Sequence, residues 1–447
     1  MRCGSFECAT LTVPLDYSQP SGPTTGVAVI RSRATDPAQR IGSLVVNPGG
    51  PGESGYALIG RDLGLLPSRV RQRFDVIELD PRGVGRSGAI NCTGSGDGTG
   101  GVGLGPDPAP STPGAVDAVV RSNTEYAQAC ARATGPLLPH VGTTDVARDL
   151  DQLRRGLGDE RLTYLGLSYG TLLGATYADL FPTHVRAAAL DGAIDPARSM
   201  EELQVDQARS FENALDAFFA ACVPGCGWRP RGDPAVALVA LFDRLRARPL
   251  AAGGGKQAGP AELYAAVLSR LYAPSRRASL AAALAAAERG DGSAIRSLAD
   301  AYQGRAPGAT INADAANAIN CLDHPVPHDV AQLQAHAAGA STRAPVFGAI
   351  LVWGGVVCAV WPAPPTRAAH AVRAPGAPPI LVVGTTQDPA TPYAWAQALA
   401  AQLERGVLLT REGNSHVALF SSGCVRAAVD AYLVELRPPA PGTTCQG

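Results

Sequence analysis

The 447-residue sequence predicts an α/β fold, a mostly parallel sheet with helices packed on both faces. Three observations predict it. Short apolar runs at residues 43–47, 74–80 and 162–165 have the length and composition of strands buried on both faces. Stretches of helical periodicity, at 116–133 and 144–157, alternate with them. One strand-to-helix junction reads Gly166-Leu167-Ser168-Tyr169-Gly170, a serine at the tip of a tight turn whose glycines leave room where a Cβ would clash.

In chain order, residues 9–17 and 25–33 alternate apolar and polar side chains, as paired edge strands do. The strand at 43–47 runs into the Gly/Pro loop Pro48-Gly49-Gly50-Pro51-Gly52-Glu53-Ser54-Gly55, with a helix start behind it. The strand at 74–80 ends in Pro81-Arg82-Gly83-Val84-Gly85-Arg86-Ser87-Gly88. Residues 93–115 are rich in Gly, Pro, Ser and Thr and read as a surface excursion. The helix at 144–157 has Thr143 or Thr144 as its cap, and a further strand covers 185–192. From about 195 to 361 helical periodicity takes over, at 201–222, 234–247, 260–273 and 280–289. The sheet resumes at 379–384 and 406–410, and a last helix covers 424–435. The organisation is therefore a core in two parts, 1–194 and 362–447, with a helical cap inserted at 195–361.

With 38 basic and 39 acidic residues and no Lys/Arg tract, the chain is a poor partner for nucleic acid or an anionic membrane. No apolar run approaches the ~20 residues that span a bilayer. The opening Met1-Arg2-Cys3-Gly4 lacks a charged segment followed by an apolar one, so a signal peptide is either absent or already removed. The ten cysteines fall into locally spaced pairs, which suits disulfides in an oxidising compartment and hence secretion. Pairs 3–8, 222–226 and 424–445 are expected first, and 92–130 and 321–358 follow by elimination. The metal alternative fails because Cys222-x-x-x-Cys226 has no second Cys or His pair at zinc-like spacing.

Chemistry in such a fold hangs on the loops that follow the strands. Three match. Ser168 follows the strand at 162–165, Asp388 lies past the one at 379–384, and His416 lies past the one at 406–410. The order Ser, Asp, His is that of α/β-hydrolases. A serine hydroxyl is too weak an acid to attack unaided, so His416 takes its proton and later returns it to the leaving group. Asp388 holds the imidazole tautomer without being protonated itself. A strand-end Asp before Pro389 is also a plain turn former, and Asp191 is the rival acid. The remaining histidines, His140, His184, His324, His328, His336 and His370, have no comparable setting and read as structural. Two backbone amides form the oxyanion hole, from Tyr169 after the nucleophile and from Gly50 in the Gly-rich loop. Proton transfers of this kind need no metal or organic cofactor.

The motifs Asn47-Pro48-Gly49-Gly50-Pro51-Gly52-x-Ser54-Gly55, Asp80-Pro81-Arg82-Gly83-Val84-Gly85-x-Ser87 and Gly166-Leu167-Ser168-Tyr169-Gly170-Thr171 resemble those of the secreted actinobacterial tripeptidyl aminopeptidases. The Cys321-Leu322-Asp323 stretch and the segment around Cys424 resemble them too, so the likeness covers nearly the whole chain. Those proteins are α/β-hydrolases related to the prolyl aminopeptidases. The resemblance implies a serine exopeptidase that releases short peptides, tripeptides by the family's habit, from free N-termini, with a helical cap closing the cleft.

Glu53 departs from the family, where a small residue is expected. It reads as a solvent-facing residue in a helix's first turn, favoured by the helix dipole. Pointed into the cleft, it would pair with a substrate ammonium or exclude the usual substrate. Glu201, Glu202 and Asp323 are the other acids considered for that ammonium. The alternative reading is an esterase or amidase acting on a small acyl group with the same triad. A catalytically silent binding protein is a third, opposed by the intact Ser168, Asp388 and His416. Serine at the elbow removes epoxide hydrolases and dehalogenases, which need Asp there. The expected partner is a peptide or small acyl substrate, and the chain is read as a monomer.

Overall fold

The computed structural model describes residues 1–92, 107–222, 225 and 227–446, without the Cys222 side chain. Residues 93–106 of the expected surface excursion, and the expected Cys222–Cys226 pairing, lie outside the described residues. The strands are β1 (Arg2–Cys3), β2 (Phe6–Pro14), β3 (Thr24–Ser32), β4 (Gly42–Asn47), β5 (Phe74–Leu79), β6 (Leu162–Leu167), β7 (Val185–Asp191), β8 (Leu250–Ala251), β9 (Gln257–Ala258), β10 (Ile380–Thr385), β11 (Gly406–Arg411) and β12 (Thr444–Cys445). All but β8 and β9 form one sheet in the order β1-β2-β3-β5-β4-β6-β7-β10-β11-β12. It is antiparallel from β1 to β5 and parallel from β5 onward.

Alternation along the parallel strands sends neighbouring side chains to opposite faces. Val45, Ile77, Tyr164, Leu190 and Val382 pack with Val146 and Leu150 of the helix Thr143–Leu157. Leu44, Val76, Leu165, Ala189 and Leu381 pack on the other face with Val425 and Val429 of the helix Gly423–Glu435. Both faces are thus covered, and each fully buried aliphatic side chain contributes roughly 1.5–3 kcal/mol. Registers align the strand ends that matter. Asn47 sits opposite Gly166, and Asp191 opposite both Leu167 and Val383. The loops after β4, β6, β7 and β10 therefore emerge side by side.

Between β7 and β10 the regular structure of the described residues is helical apart from the small antiparallel pair β8–β9, and residues 361–379 lead irregularly into β10. The side chains of the helical segment form their own buried cluster, with Phe211, Phe218, Trp228, Leu241, Leu263 and Phe347 among its largest members. This segment is pinned to the loop after β4. Ser54 N–H donates to Thr310 O at 2.9 Å, Asn312 N–H donates to Gly52 O at 2.9 Å, and Glu53 bridges Ile311. Four disulfides have the expected partners, Cys3–Cys8, Cys92–Cys130, Cys321–Cys358 and Cys424–Cys445. No helix of the described residues is long and apolar enough to cross a membrane.

Three local expectations need correction. The helix expected to begin at 116 starts at Pro113, with Thr112 accepting the Ala115 amide as its cap, so the expected excursion ends early. Neither Thr143 nor Thr144 caps the next helix. Gly142 holds the cap position, and the Thr143 hydroxyl is committed to Asp323. Glu53 is not in a first helical turn either, because Ser54 is the cap of the helix Gly55–Leu65, its Oγ accepting from Ala57 N–H at 3.0 Å. Glu53 is half-buried, and that burial raises its pKa.

Candidate active site

The loop after β6 places Ser168 at φ 55°, a left-handed conformation that costs a non-glycine residue energy and lifts its side chain off the sheet. Gly170 behind it lies against the sheet so closely that a Cβ would come within 2.7 Å of Asn47 O. The turn is held from both sides. Ser168 N–H donates to Asp191 O at 2.9 Å, and Thr171 donates its hydroxyl to Ser168 O at 2.6 Å.

Asp388 follows β10 and does two jobs. Its Oδ1 accepts the Ala390 and Thr391 amides, both at 2.9 Å, which makes the turn expected of an Asp before Pro. Both carboxylate oxygens also face His416 Nδ1, at 2.9 and 3.0 Å. Nδ1 opposite a carboxylate carries the proton, so Nε2 keeps its lone pair and is the basic nitrogen. Thr391 Oγ1 stands 3.3 Å from Nδ1. The His416 loop is fixed from the helical segment, where Tyr272 O accepts the His416 amide at 2.9 Å and the Tyr272 ring meets the imidazole edge-on at 5.3 Å. Val417, the next residue, sits at φ 62°, a strained state for a β-branched side chain.

Asp191 is not the acid of this pair. Its carboxylate accepts the Ala418 and Leu419 amides at 3.1 and 2.7 Å, and burial pushes its pKa up to about 6. Gly192, just beyond it, lies against the imidazole, since a Cβ there would be 3.2 Å from His416 Cε1. Ser168 and His416 are thus held on either side of one strand end. Ser168 Oγ makes no hydrogen bond to a described residue, an ordinary state for a nucleophile awaiting substrate.

The loop after β4 lies against the elbow, for a Cβ on Gly49 would stand 3.1 Å from Ser168 Cβ. Gly49 N–H is consumed by Asn47 Oδ1 at 3.0 Å and Pro51 has no N–H, whereas the Gly50 amide is taken by no described residue. Gly50, at φ 107°, and Tyr169, whose N–H opens the helix Tyr169–Leu180, both line the cleft with Ser168. Tyr169 is anchored from behind. Thr143 donates its hydroxyl to Asp323 Oδ2 and its amide to Oδ1, so the Tyr169 hydroxyl must donate to Thr143 Oγ1.

The cleft is a cavity of about 280 Å³ walled on the far side by the helical segment, with Leu203, Phe211, Tyr264 and Leu268 among its apolar lining. Among the described residues, no Asp, Glu, Lys or Arg lines it. His324, which lines it, is held neutral, because burial and the nearby Arg367 push its pKa down to about 3. The four acids considered for a substrate ammonium all lie elsewhere. Glu202 accepts the Ser199 amide at 3.0 Å and Arg198 Nη1 at 3.1 Å. Glu201 is half-buried beside it, outside the lining. Asp323 is fully buried on Thr143, with its pKa pushed up to about 6. Glu53 is outside the lining but borders it, bridging Ile311 with its backbone, lying behind Gly50, where a Cβ would stand 3.5 Å from Glu53 Cγ, and acting electrostatically on Tyr302.

Sequence reasoning overlooked Tyr272, Thr391 and the Asp323–Thr143–Tyr169 chain. Thr391 had a local signal, three residues past an Asp in a Pro-bounded turn. Tyr272 had none, for its contact with His416 joins segments far apart in the chain.

Residues 42–226 match the family model for the α/β hydrolase fold, and residues 344–445 match that for TAP-like proteins. "Serine protease Hip1" of Mycobacterium tuberculosis is 38% identical, an alignment that covers 99% of this chain and 88% of that protein. "Carboxylesterase B" of the same species is also 38% identical, covering 98% and 86%. "Tripeptidyl aminopeptidase" of Streptomyces lividans is 32% identical, covering 98% and 83%.

Proposed function

The chain belongs to the tripeptidyl-aminopeptidase-like family of α/β-hydrolases, and from that premise we propose that it is a secreted serine exopeptidase releasing short peptides from free N-termini. It is a serine hydrolase by family and fold. The Asp388–His416 pair beside a serine on a strained elbow supports the serine chemistry, and the finer reading rests on the full-length likeness to a tripeptidyl aminopeptidase. His416 Nε2 takes the Ser168 proton as Oγ attacks the scissile carbonyl carbon. The carbonyl oxygen gains the electron pair and accepts from the Gly50 and Tyr169 amides, each donor being worth roughly 10²–10³ in rate. Collapse expels the amine, which receives the proton from His416, and an acyl-Ser168 ester remains. Water then repeats the sequence and frees the acyl product. Residues 195–361 act as the cap over this cleft, the enzyme works as a monomer, and four disulfides suit an oxidising compartment.

An uncharged cleft has a consequence for the substrate's amine. Burying an unpaired ammonium is costly, and no carboxylate lines the cavity to offset it. A peptide α-amino group has a pKa near 7.7–8.0, so binding it as the free base at pH 7 costs only about 1 kcal/mol. The peptide is therefore taken with a neutral amine. The same neutral lining favours a second reading, an esterase or amidase for an uncharged acyl group.

The test compares a tripeptide nitroanilide with its N-acetylated twin, in wild type and Ser168→Ala. Cleavage of the free form alone, lost in the variant, supports the exopeptidase, and its kcat/KM should rise with pH toward about 8. Cleavage of the acetylated form alone, or of neither in protein that a fluorophosphonate still labels, would favour the second reading.

A further inference from the structure

His324 lies between two cavities. It lines the catalytic cleft, and it lines a second pocket of about 290 Å³ framed by the Cys321–Cys358 disulfide, Val326, Trp361 and the prolines that follow it. It caps the C-terminus of the helix Ala313–Asp323, its N–H donating to Asn320 O at 3.0 Å. Pro325 behind it favours the extended conformation it adopts, φ −131° and ψ 107°, which turns its side chain away from the helix path. The residue is 7% exposed, yet its imidazole makes no hydrogen bond to a described residue. Packing alone holds the ring in place between two spaces.

We propose that His324 is the partition between the catalytic cleft and this second pocket, and that its ring sets how long an acyl portion the enzyme accepts. This rests on the exopeptidase reading for what the acyl portion is, a short peptide, but not for the wall itself. An exopeptidase that releases a fixed short piece must limit the acyl side, while the leaving side stays open to a chain of any length. A limit needs a side chain across the end of the acyl channel. His324 is placed to be that side chain, and the pocket beyond is already formed in a frame of disulfide and proline that need not move. Its side chains are apolar except for the His324, His328 and Trp361 rings, so a lengthened acyl group would meet space it can fill.

The test is a ladder of alkyl fluorophosphonates, the alkyl chain standing for the acyl group, with labelling rates of Ser168 measured in wild type, His324→Ala and His324→Leu. In wild type the rate should fall by about tenfold or more beyond the chain length that reaches the ring, the scale of discrimination a hydrophobic wall provides. His324→Ala should restore the long probes relative to the short ones, while His324→Leu, of similar bulk, should keep the cutoff. Should the alanine variant fail to fold, His324→Ser replaces it. Val326→Trp added to the smaller side chain plugs the far pocket and should cancel the gain. The same chain-length profile in wild type and in a folded His324→Ala or His324→Ser protein overturns the proposal, and so does a gain that survives the plug. The probes read only Ser168 and its cavity, so a protein that labels but cleaves no peptide would sink the exopeptidase reading and leave this result standing.

Discussion

Asp191 receives the Ser168 amide on its backbone carbonyl at 2.9 Å, and its carboxylate at the same strand end takes the two amides that follow Val417. One residue therefore holds the nucleophile's turn and braces the strained loop that carries His416. Asp191→Asn keeps the backbone contact but turns one amide hydrogen pair toward the Ala418 or Leu419 N–H. The expected result is a kcat loss of about 10²-fold from displaced geometry, with little change in KM. A stability loss of about 1–3 kcal/mol accompanies the lost acceptor. Steady-state kinetics and urea unfolding check both, and an unchanged kcat in the folded variant would remove the bracing role.

Asp388 should separate its two jobs under Asp388→Asn. The asparagine Oδ1 can still accept the Ala390 and Thr391 amides, so the turn survives and stability should change by under about 1 kcal/mol. Its Nδ2 now faces His416 Nδ1 and forces the proton onto Nε2, the wrong tautomer for a base. The expected loss is about 10⁴-fold in kcat. Near-normal turnover would reassign the residue to the turn alone.

Gly50 tests the oxyanion hole. At φ 107° an alanine is strained, and its Cβ would stand 2.9 Å from both Gly52 N and Glu53 N. The loop must shift, moving the Gly50 N–H off the developing oxyanion. Gly50→Ala should lose about 10²–10³ in kcat with KM nearly constant. A variant impaired in KM alone would place Gly50 in binding rather than in transition-state stabilisation.

The candidate triad and the sheet were legible in the sequence because each rests on a local pattern. Ser168 stands between a six-residue strand and a helix, and Asp388 and His416 each follow a short apolar run. The helix starts misread at Thr143 and Glu53 show what local pattern lacks. Thr143 looks like a cap until Asp323, brought in by the helical segment, claims its hydroxyl. Glu53 looks solvent-facing until Ile311 pairs with it. The lining of the cleft was out of reach for the same reason, since Tyr264, Tyr272 and His324 come together only once the inserted helices pack. Asp191 was noticed as an acid at a strand end. Its bracing role depends on Ala418 and Leu419, which follow β11 and come near through the pairing of β10 with both β7 and β11.

The buried Asp323 ties stability to pH with a definite sign. Burial lifts its pKa from 3.8 to about 6, against the pull of two hydrogen bonds from Thr143. A carboxyl whose folded pKa is raised holds its proton more tightly in the native state. Its contribution is therefore full below about pH 4 and lost as pH rises through about 6, on the order of 3 kcal/mol for a shift of this size. Exposed acids with lowered pKa act in the opposite direction, as Glu7 does beside Arg33 and Arg31, so wild type alone would show a blend. The difference between wild type and Asp323→Asn isolates the term, because asparagine does not titrate. In urea unfolding the variant's disadvantage should shrink, or reverse, between about pH 4 and 7 as the wild-type carboxylate ionises. A difference that stays constant across that range would mean that Asp323 is as readily ionised folded as unfolded, and the Tyr169 anchor would then rest on a permanent charge.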